Sequence, residues 1–335
     1  MDLPQILTDK LGADPLQCID VGARGGPQNH WRRFAAVMRT DLFEPDQAAC
    51  AAQAAMQRPG ESWFPVALGG HTGTGKLHVL SKPSGSSLYP PNEPMLNRFG
   101  PRSYGTLAKV LDVPLMTLSD FIEQYKRPLP NLLKLDVQGA ELDILKAIKP
   151  EHWRDLIAVQ AEVELVEFYR GQPLMHDVDA FMRAHGFVMF DFLPVRSYRF
   201  DRDQSHGLMR RHLNIQKNRR DISCRLIAGD AFYIRPTEEV AAAGDLVRAL
   251  KLFTILLVYR FLDEALWLTE ALQAKGQISA ADAAALIGLV RAAAPTPRWV
   301  QRNDFLGRLT RRVTGKLRIG RGRKIDYWLD RSWDF

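Results

Sequence analysis

Asp136 stands where this chain is best placed to do chemistry. The stretch LLKLDVQGAELDIL (132–145) reads as a short buried strand that ends in that carboxylate, turns through Gly139 and enters a helix opened by Glu141. Ligands of open parallel sheets bind beyond the carboxyl ends of the strands, so an acid at that point can meet a substrate. A second unit, CIDVGARGG (18–26), ends its strand in Asp20 and follows it with Gly22, Gly25 and Gly26. Glycines at such a turn let backbone approach a ligand closely. In DLFEPD (41–46), Glu44 closes the next strand, where an acid can accept hydrogen bonds from both hydroxyls of a ribose. In IAVQAEVEL (157–165), strand alternation puts Glu162 and Glu164 on one face. Burying unpaired charge is costly, so both are expected to reach the sheet edge beside Asp136.

Carboxylates gathered at one edge can act as general bases or share a divalent cation through oxygen. Asp136, Glu141 and Glu162 are the candidates for chemistry, with His71 and His78 as alternatives. No metal ligand set is assigned.

These groups need a scaffold. Strand and helix patterns alternate at 17–21, 27–39, 41–44 and 46–57, with further strands at 62–68 and 76–80. Residues 81–106, which include SGSSL (84–88), are rich in Ser, Pro, Gly and Asn, and a connector of this length is expected to cover a binding site. A short strand and a helix capped by Ser119 precede the Asp136 block, and a helix at 177–186 follows it. FVMFDF (187–192) and SCRLIAGDAFYIRP (223–236) supply the last strands. From 237 the pattern is helical, with Asp245 capping a helix, or a kinked pair, that runs to Lys275, and Ser279 opening another. The organisation expected is an α/β domain over 1–236, a helical extension over 237–300 suited to self-association, and a basic, aromatic-containing tail over 301–335.

Together IDVGA (19–23), FEP (43–45), KLDVQGAELDIL (134–145) and IAVQAEVEL resemble the FkbM-type S-adenosylmethionine-dependent methyltransferases, over about residues 15–236. The resemblance implies a class I methyltransferase (Rossmann-like) fold: a seven-stranded, mostly parallel sheet with helices on both faces. It implies S-adenosylmethionine as cofactor and methyl transfer to a hydroxyl of a sugar, glycolipid, polysaccharide or related natural product. On that basis Gly22, Ala23, Arg24 and Gly26 are expected to cradle the methionine end, with Asp20 organising the turn. Glu44, followed by Pro45, takes the ribose, and Asp136 borders the reacting methyl. Two positions depart from the family pattern. Arg24 replaces the usual asparagine and is expected to face the methionine carboxylate, while Gln138 replaces a glutamate and removes a charge from the site.

Composition bounds the alternatives. Hydrophobic content of 46% and charged content of 25% describe an ordinary globular chain. Cys18, Cys50 and Cys224 are scattered, and the N-terminus lacks a signal-peptide pattern, which points to the cytoplasm. The apolar run at 252–262 is interrupted by Arg260 and too short to span a bilayer. The net charge of +7 is concentrated. Arg196–Arg225 carries nine basic and three acidic residues, and Gln301–Phe335 ten and four. Such stretches suit an anionic acceptor or peripheral contact with a membrane surface. They also motivate a nucleic-acid methyltransferase as the alternative, although YPPN (89–92) is not the signature of amino-methylating DNA enzymes. A non-catalytic scaffold is the third reading, and a dehydrogenase the weakest, because GARGG does not match the dinucleotide turn.

Overall fold

The structure, a computed structural model, describes residues 3–99, 105–197 and 225–294. The basic stretches lie mostly or wholly outside the described residues: 198–224 of the first, and all of 301–335. The strands are β1 (Leu16–Val21), β2 (Met38–Phe43), β3 (Glu61–Phe64), β4 (Ala67–Leu68), β5 (Gly73–Leu80), β6 (Leu107–Met116), β7 (Leu132–Leu135), β8 (Ala158–Glu164), β9 (Val188–Ser197) and β10 (Leu226–Ile234). The helices are α1 (Gln5–Ala13), α2 (Gln47–Ala54), α3 (Glu93–Phe99), α4 (Leu118–Gln124), α5 (Glu141–Lys146), α6 (Met175–Ala184), α7 (Thr237–Ala242), α8 (Leu246–Val258), α9 (Leu262–Ala274) and α10 (Ala280–Ala293).

Seven strands form one sheet in the order β3-β2-β1-β7-β8-β10-β9. The first five are parallel, and β10 runs antiparallel to both β8 and β9. Reversal of the chain order between β1 and β7 opens the crevice in which α/β sheets bind ligands. With the antiparallel hairpin at its far edge, this is the class I methyltransferase fold. A separate three-stranded sheet, β4-β6-β5, is built from the segment between β3 and α4.

Register divides the main sheet into two faces. Ile19, Val21, Leu133, Leu135, Val159 and Ala161 belong to the core under α4, α5 and α6. Leu16, Cys18, Leu132, Ala158, Phe232 and Ile234 face the other way and share a core with Leu250, Phe253, Leu256 and Tyr259. The helices after residue 237 therefore cover one face of the sheet, and their apolar sides lie against it.

Two local expectations change, and a third is decided between its alternatives. A helix over 27–39 is replaced by a single 3-10 turn, Trp31–Phe34, before β2 begins at Met38. Trp31 and Phe34 pack into the core shared with α8, and the indole N–H of Trp31 donates to the Tyr259 hydroxyl at 3.2 Å. The cap of α4 is Thr117, which accepts from the Asp120 N–H at 3.0 Å, and not Ser119. Ser119 lies inside that helix, where its hydroxyl accepts from the Lys149 N–H at 2.8 Å. Of the two forms expected for the run from Asp245 to Lys275, the pair is present: Arg260, at φ 62°, breaks the chain between α8 and α9.

Candidate functional site

Strand register sets the site. Asp20 pairs with Lys134 across β1 and β7, and Lys134 with Gln160 across β7 and β8, so these three side chains form one row on one face. Asp136 lies one pleat further along its strand, and Glu162 and Glu164 likewise beyond Gln160. The carboxyl edge is thus an acidic ledge around one buried cation. The ammonium of Lys134 lies 3.0 Å from Asp20 Oδ1 and 3.7 Å from Asp136 Oδ2. Burial disfavours its charge, but Asp20 and Asp136 outweigh that and hold its pKa above the ordinary lysine value.

A cavity of about 310 Å³ opens beside this row, lined by Asp20, Gly22, Ala23, Gly26, Lys134 and Asp136 among others. The sequence-derived residues at 20, 22, 23, 26 and 136 therefore converge on one concave space. Gly22, at φ 89°, sits against Asp136, whose N–H donates to the Val21 carbonyl at 3.0 Å. Asp20 is fully buried, and among the described residues its Oδ2 has no hydrogen-bond partner. Desolvation, only partly offset by Lys134, raises its pKa. A buried carboxylate that lines the cavity and keeps one oxygen unpaired among the described residues fits a ligand that brings a cationic group, as S-adenosylmethionine does with its ammonium and sulfonium.

Glu44 follows β2, 4% exposed, and accepts from the Asp46 N–H at 2.8 Å. Burial raises its pKa against the opposing pull of that N–H and of Arg24. The Arg24 guanidinium is held by two acids: one nitrogen lies 3.3 Å from Glu44 Oε1, the other 3.1 Å from Asp46 Oδ2. The N–H groups of Gly22 and Ala23 donate to the Phe43 carbonyl, at 3.1 and 3.0 Å, so they hold the turn against β2. Pro45 is half-buried between Glu44 and the α2 cap Asp46.

Of the three acids expected to do chemistry, two meet and one is occupied. Asp136 and Glu162 both accept from the side-chain N–H2 of Gln138, the former at 3.0 Å. Glu141 is buried under the turn, its two oxygens accepting from the Val137 N–H at 2.8 Å and the Gly139 N–H at 2.9 Å. Burial, followed by the Glu164 charge, pushes its pKa well up. The carboxylate of Glu141 closes the turn that its own helix begins.

Tyr169, Gln160 and Asp230 reach the site without a motif in the sequence, whereas Ser87 and Gly85 belong to the SGSSL stretch (84–88). The Tyr169 hydroxyl lies 3.0 Å from Gln138 Oε1 and 2.8 Å from the Gly85 carbonyl, and the Ser87 hydroxyl donates to the Gln138 carbonyl at 2.6 Å. Asp230 accepts from the Gln160 amide at 2.8 Å, and Gln160 in turn accepts from the Tyr259 hydroxyl at 2.8 Å. A lone acid inside the apolar run LIAGDAFYI is the one signal that pointed to Asp230. A second cavity of about 410 Å³ lies between α5 and the small sheet, with Leu88, Tyr89 and Leu115 on its walls and His71, Lys76 and Lys146 among its lining residues. His71 and His78 thus lie outside the acidic ledge; His78 pairs with Ser87 by its backbone.

A model of the FkbM methyltransferase domain matches residues 20–189, half of the chain and all of the ledge except Asp230. The chain belongs to the FkbM methyltransferase family. Use of S-adenosylmethionine is what that membership implies. No curated protein matches the chain. Among solved structures, a precorrin-6y C5,15-methyltransferase from Geobacter metallireducens GS-15 is similar at 11% identity and a TM-score of 0.27, over 69% of this chain and 86% of that one. Sp1610 of Streptococcus pneumoniae, described as a candidate tRNA (m1A22) methyltransferase, is similar at 8% identity and a TM-score of 0.28, over 87% and 98%. Superpositions this loose carry no weight, and the fold of this FkbM-family methyltransferase rests on its own strand order. Among the described residues, no helix is long and apolar enough to cross a membrane. One His/Glu group close enough to hold an ion, Glu123, Glu151 and His152, lies away from the ledge, and Lys149 sits against Glu123.

Proposed function

We propose that this protein is an O-methyltransferase that uses S-adenosylmethionine to methylate a hydroxyl of an acidic, sugar-containing acceptor. The observation that carries the reading is Asp136, a carboxylate with its side chain 32% exposed on the cavity wall at the end of a central strand. S-adenosylmethionine supplies a methyl group on a sulfonium, open to in-line displacement by an oxygen nucleophile. Asp20 offers its unpartnered oxygen to the cationic amino end, and Gly22, Ala23 and Gly26 form the wall there. Glu44 takes the ribose hydroxyls, with Arg24 and Pro45 fixing its position. Sugar hydroxyls are weakly acidic, and Asp136 receives the proton as the oxygen attacks, a contribution of about 10²–10⁴-fold. Holding that oxygen in line contributes more, about 7–11 kcal/mol of barrier. Glu162 is buried behind Gln138 and helps to place Asp136, and Glu141 holds the turn.

Besides His71, the charged residues lining the second cavity are Lys76, Lys146 and Asp143, and the two lysines support an acidic acceptor. Lys76 is paired with Asp112 at 3.1 Å, whereas Lys146 makes no ion pair among the described residues. With the basic stretches at 196–225 and 301–335, an acceptor carrying uronate or phosphate groups at the inner membrane surface fits this chain best. The test is release of S-adenosylhomocysteine from the full chain with neutral and acidic glycosides, a hydroxylated polyketide and tRNA, followed by mass spectrometry of the product. A methyl ether on an acidic sugar supports the reading. A methylated nucleobase, or no cofactor binding at millimolar concentration, would sink it.

A further inference from the structure

We infer that Tyr259, which lies beyond the segment matched by the family model, is a positioning residue for the cofactor: its hydroxyl ties one wall of the smaller cavity to the buried polar row beside it. This rests on the reading that the cavity takes S-adenosylmethionine. Tyr259 follows α8 and is 1% exposed. Its hydroxyl accepts from the Trp31 indole N–H at 3.2 Å and donates to Gln160 Oε1 at 2.8 Å. An indole can only donate, so the hydroxyl proton is left for Gln160. Burial holds the Tyr259 pKa well above its ordinary value, and the proton stays in place. Gln160 passes the bond on, donating from its amide nitrogen to Asp230 Oδ2 at 2.8 Å. A donor-only group at one end and a carboxylate at the other give this row a single direction.

Both sides of Tyr259 border the cavity. Register places Gln160 beside Lys134 and Lys134 beside Asp20, and Lys134 and Asp20 line the cavity. Asp230 adds to the negative charge that keeps Lys134 protonated. On the other side, Gln28 and Asn29 line the same cavity, and the Trp31 N–H donates to the Gln28 carbonyl at 3.1 Å. His30, next in the chain, packs edge-on against the Tyr259 ring.

Loss of the hydroxyl leaves a buried indole donor and a buried amide oxygen without the partner they share. The turn at 28–31 then loses its hydrogen bond to the end of α8, and the cofactor must order that wall at a cost in affinity. The helical extension thus helps to shape the cofactor site as well as covering the sheet.

Tyr259→Phe keeps the ring and its packing. In the full chain its dissociation constant for S-adenosylmethionine, by calorimetry, should rise about tenfold. Phe253→Leu, an equally buried change in α8, should lower the melting temperature and leave that constant within about twofold. Gln160→Met removes the hydroxyl's acceptor, and the combined variant should bind about as weakly as the weaker single variant, because both act through one row. In ¹⁵N-tryptophan-labelled wild type, the Trp31 indole signal, identified by its loss in Trp31→Phe, should shift when the cofactor is added. Unchanged affinity in Tyr259→Phe, losses that multiply in the combined variant, or an indole signal indifferent to cofactor overturns the proposal. Failure of the wild type itself to bind millimolar cofactor would instead remove the functional reading, and this proposal with it.

Discussion

Gly22 approaches Asp136 so closely that a Cβ on the glycine would lie 2.1 Å from the Asp136 carbonyl oxygen. Two strand ends far apart in sequence meet there with no space for a side chain, and Gly22 is also in a left-handed conformation at φ 89°. Gly22→Ala is expected to move the end of β1 away from β7, lowering the melting temperature and weakening cofactor binding at least tenfold by calorimetry. A stable variant with unchanged affinity would remove this contact from the site.

Arg24 and Glu44 form a pair whose function depends on pH. Burial raises the Glu44 pKa and Arg24 pulls it down. Removing the arginine raises it further, so Glu44 protonates sooner as pH falls and loses acceptor strength for ribose. Arg24→Ala should weaken nucleoside binding more at pH 5.5 than at pH 8, and Glu44→Ala should weaken it about 10–100-fold at both. Equal losses for Arg24→Ala at the two pH values would contradict the electrostatic link.

Asp136→Asn keeps an oxygen that can accept a hydrogen bond but cannot take a proton. Turnover should fall about 10²–10⁴-fold with little change in cofactor affinity, measured by single-turnover transfer and calorimetry side by side. Retained turnover would take Asp136 out of the mechanism.

His30 makes the fold acid-sensitive. It packs against Tyr259 with ring centroids 5.1 Å apart, and burial, with a smaller contribution from Lys134, lowers its pKa from 6.5 to about 4. The folded-state pKa lies below the unfolded one, so His30 contributes no penalty above about pH 6.5. As pH falls toward 4 the unfolded chain takes the proton first, and about 3 kcal/mol of stability is lost. Urea unfolding at pH 4.5 and 7.5 should show this slope in the wild type and a smaller one in His30→Phe.

The helices after residue 237 finish the core. Leu250, Phe253 and Leu256 are fully buried with sheet residues Leu16 and Leu132. A chain ending at residue 236 is expected to expose that face and to lack a cooperative thermal transition in calorimetry. A sharp transition in the shortened chain would make the helices an independent unit.

The sequence by itself determined most of the acids at the carboxyl edge, though not Asp230. Asp20, Glu44 and Asp136 were legible because each closes an apolar strand next to a turn, and local pattern records where strands end. Alternation likewise carried Glu162 and Glu164 to one face. It did not carry what the side chains touch. Glu141 follows a glycine turn in the sequence as a catalytic acid might, yet two backbone N–H groups that exist only once the turn has formed claim both its oxygens. Arg24 lies next to the glycines in sequence, but the end of β2 brings Glu44 and Asp46 closer to its charge. Tyr259 and Trp31 are 228 residues apart and share a hydrogen bond, and Trp31 opens a 3-10 turn where the 27–39 pattern predicted a helix. Periodicity and turn chemistry are local and can be read along the chain. Which groups satisfy one another across the sheet depends on long-range packing, and only the tertiary structure decided that.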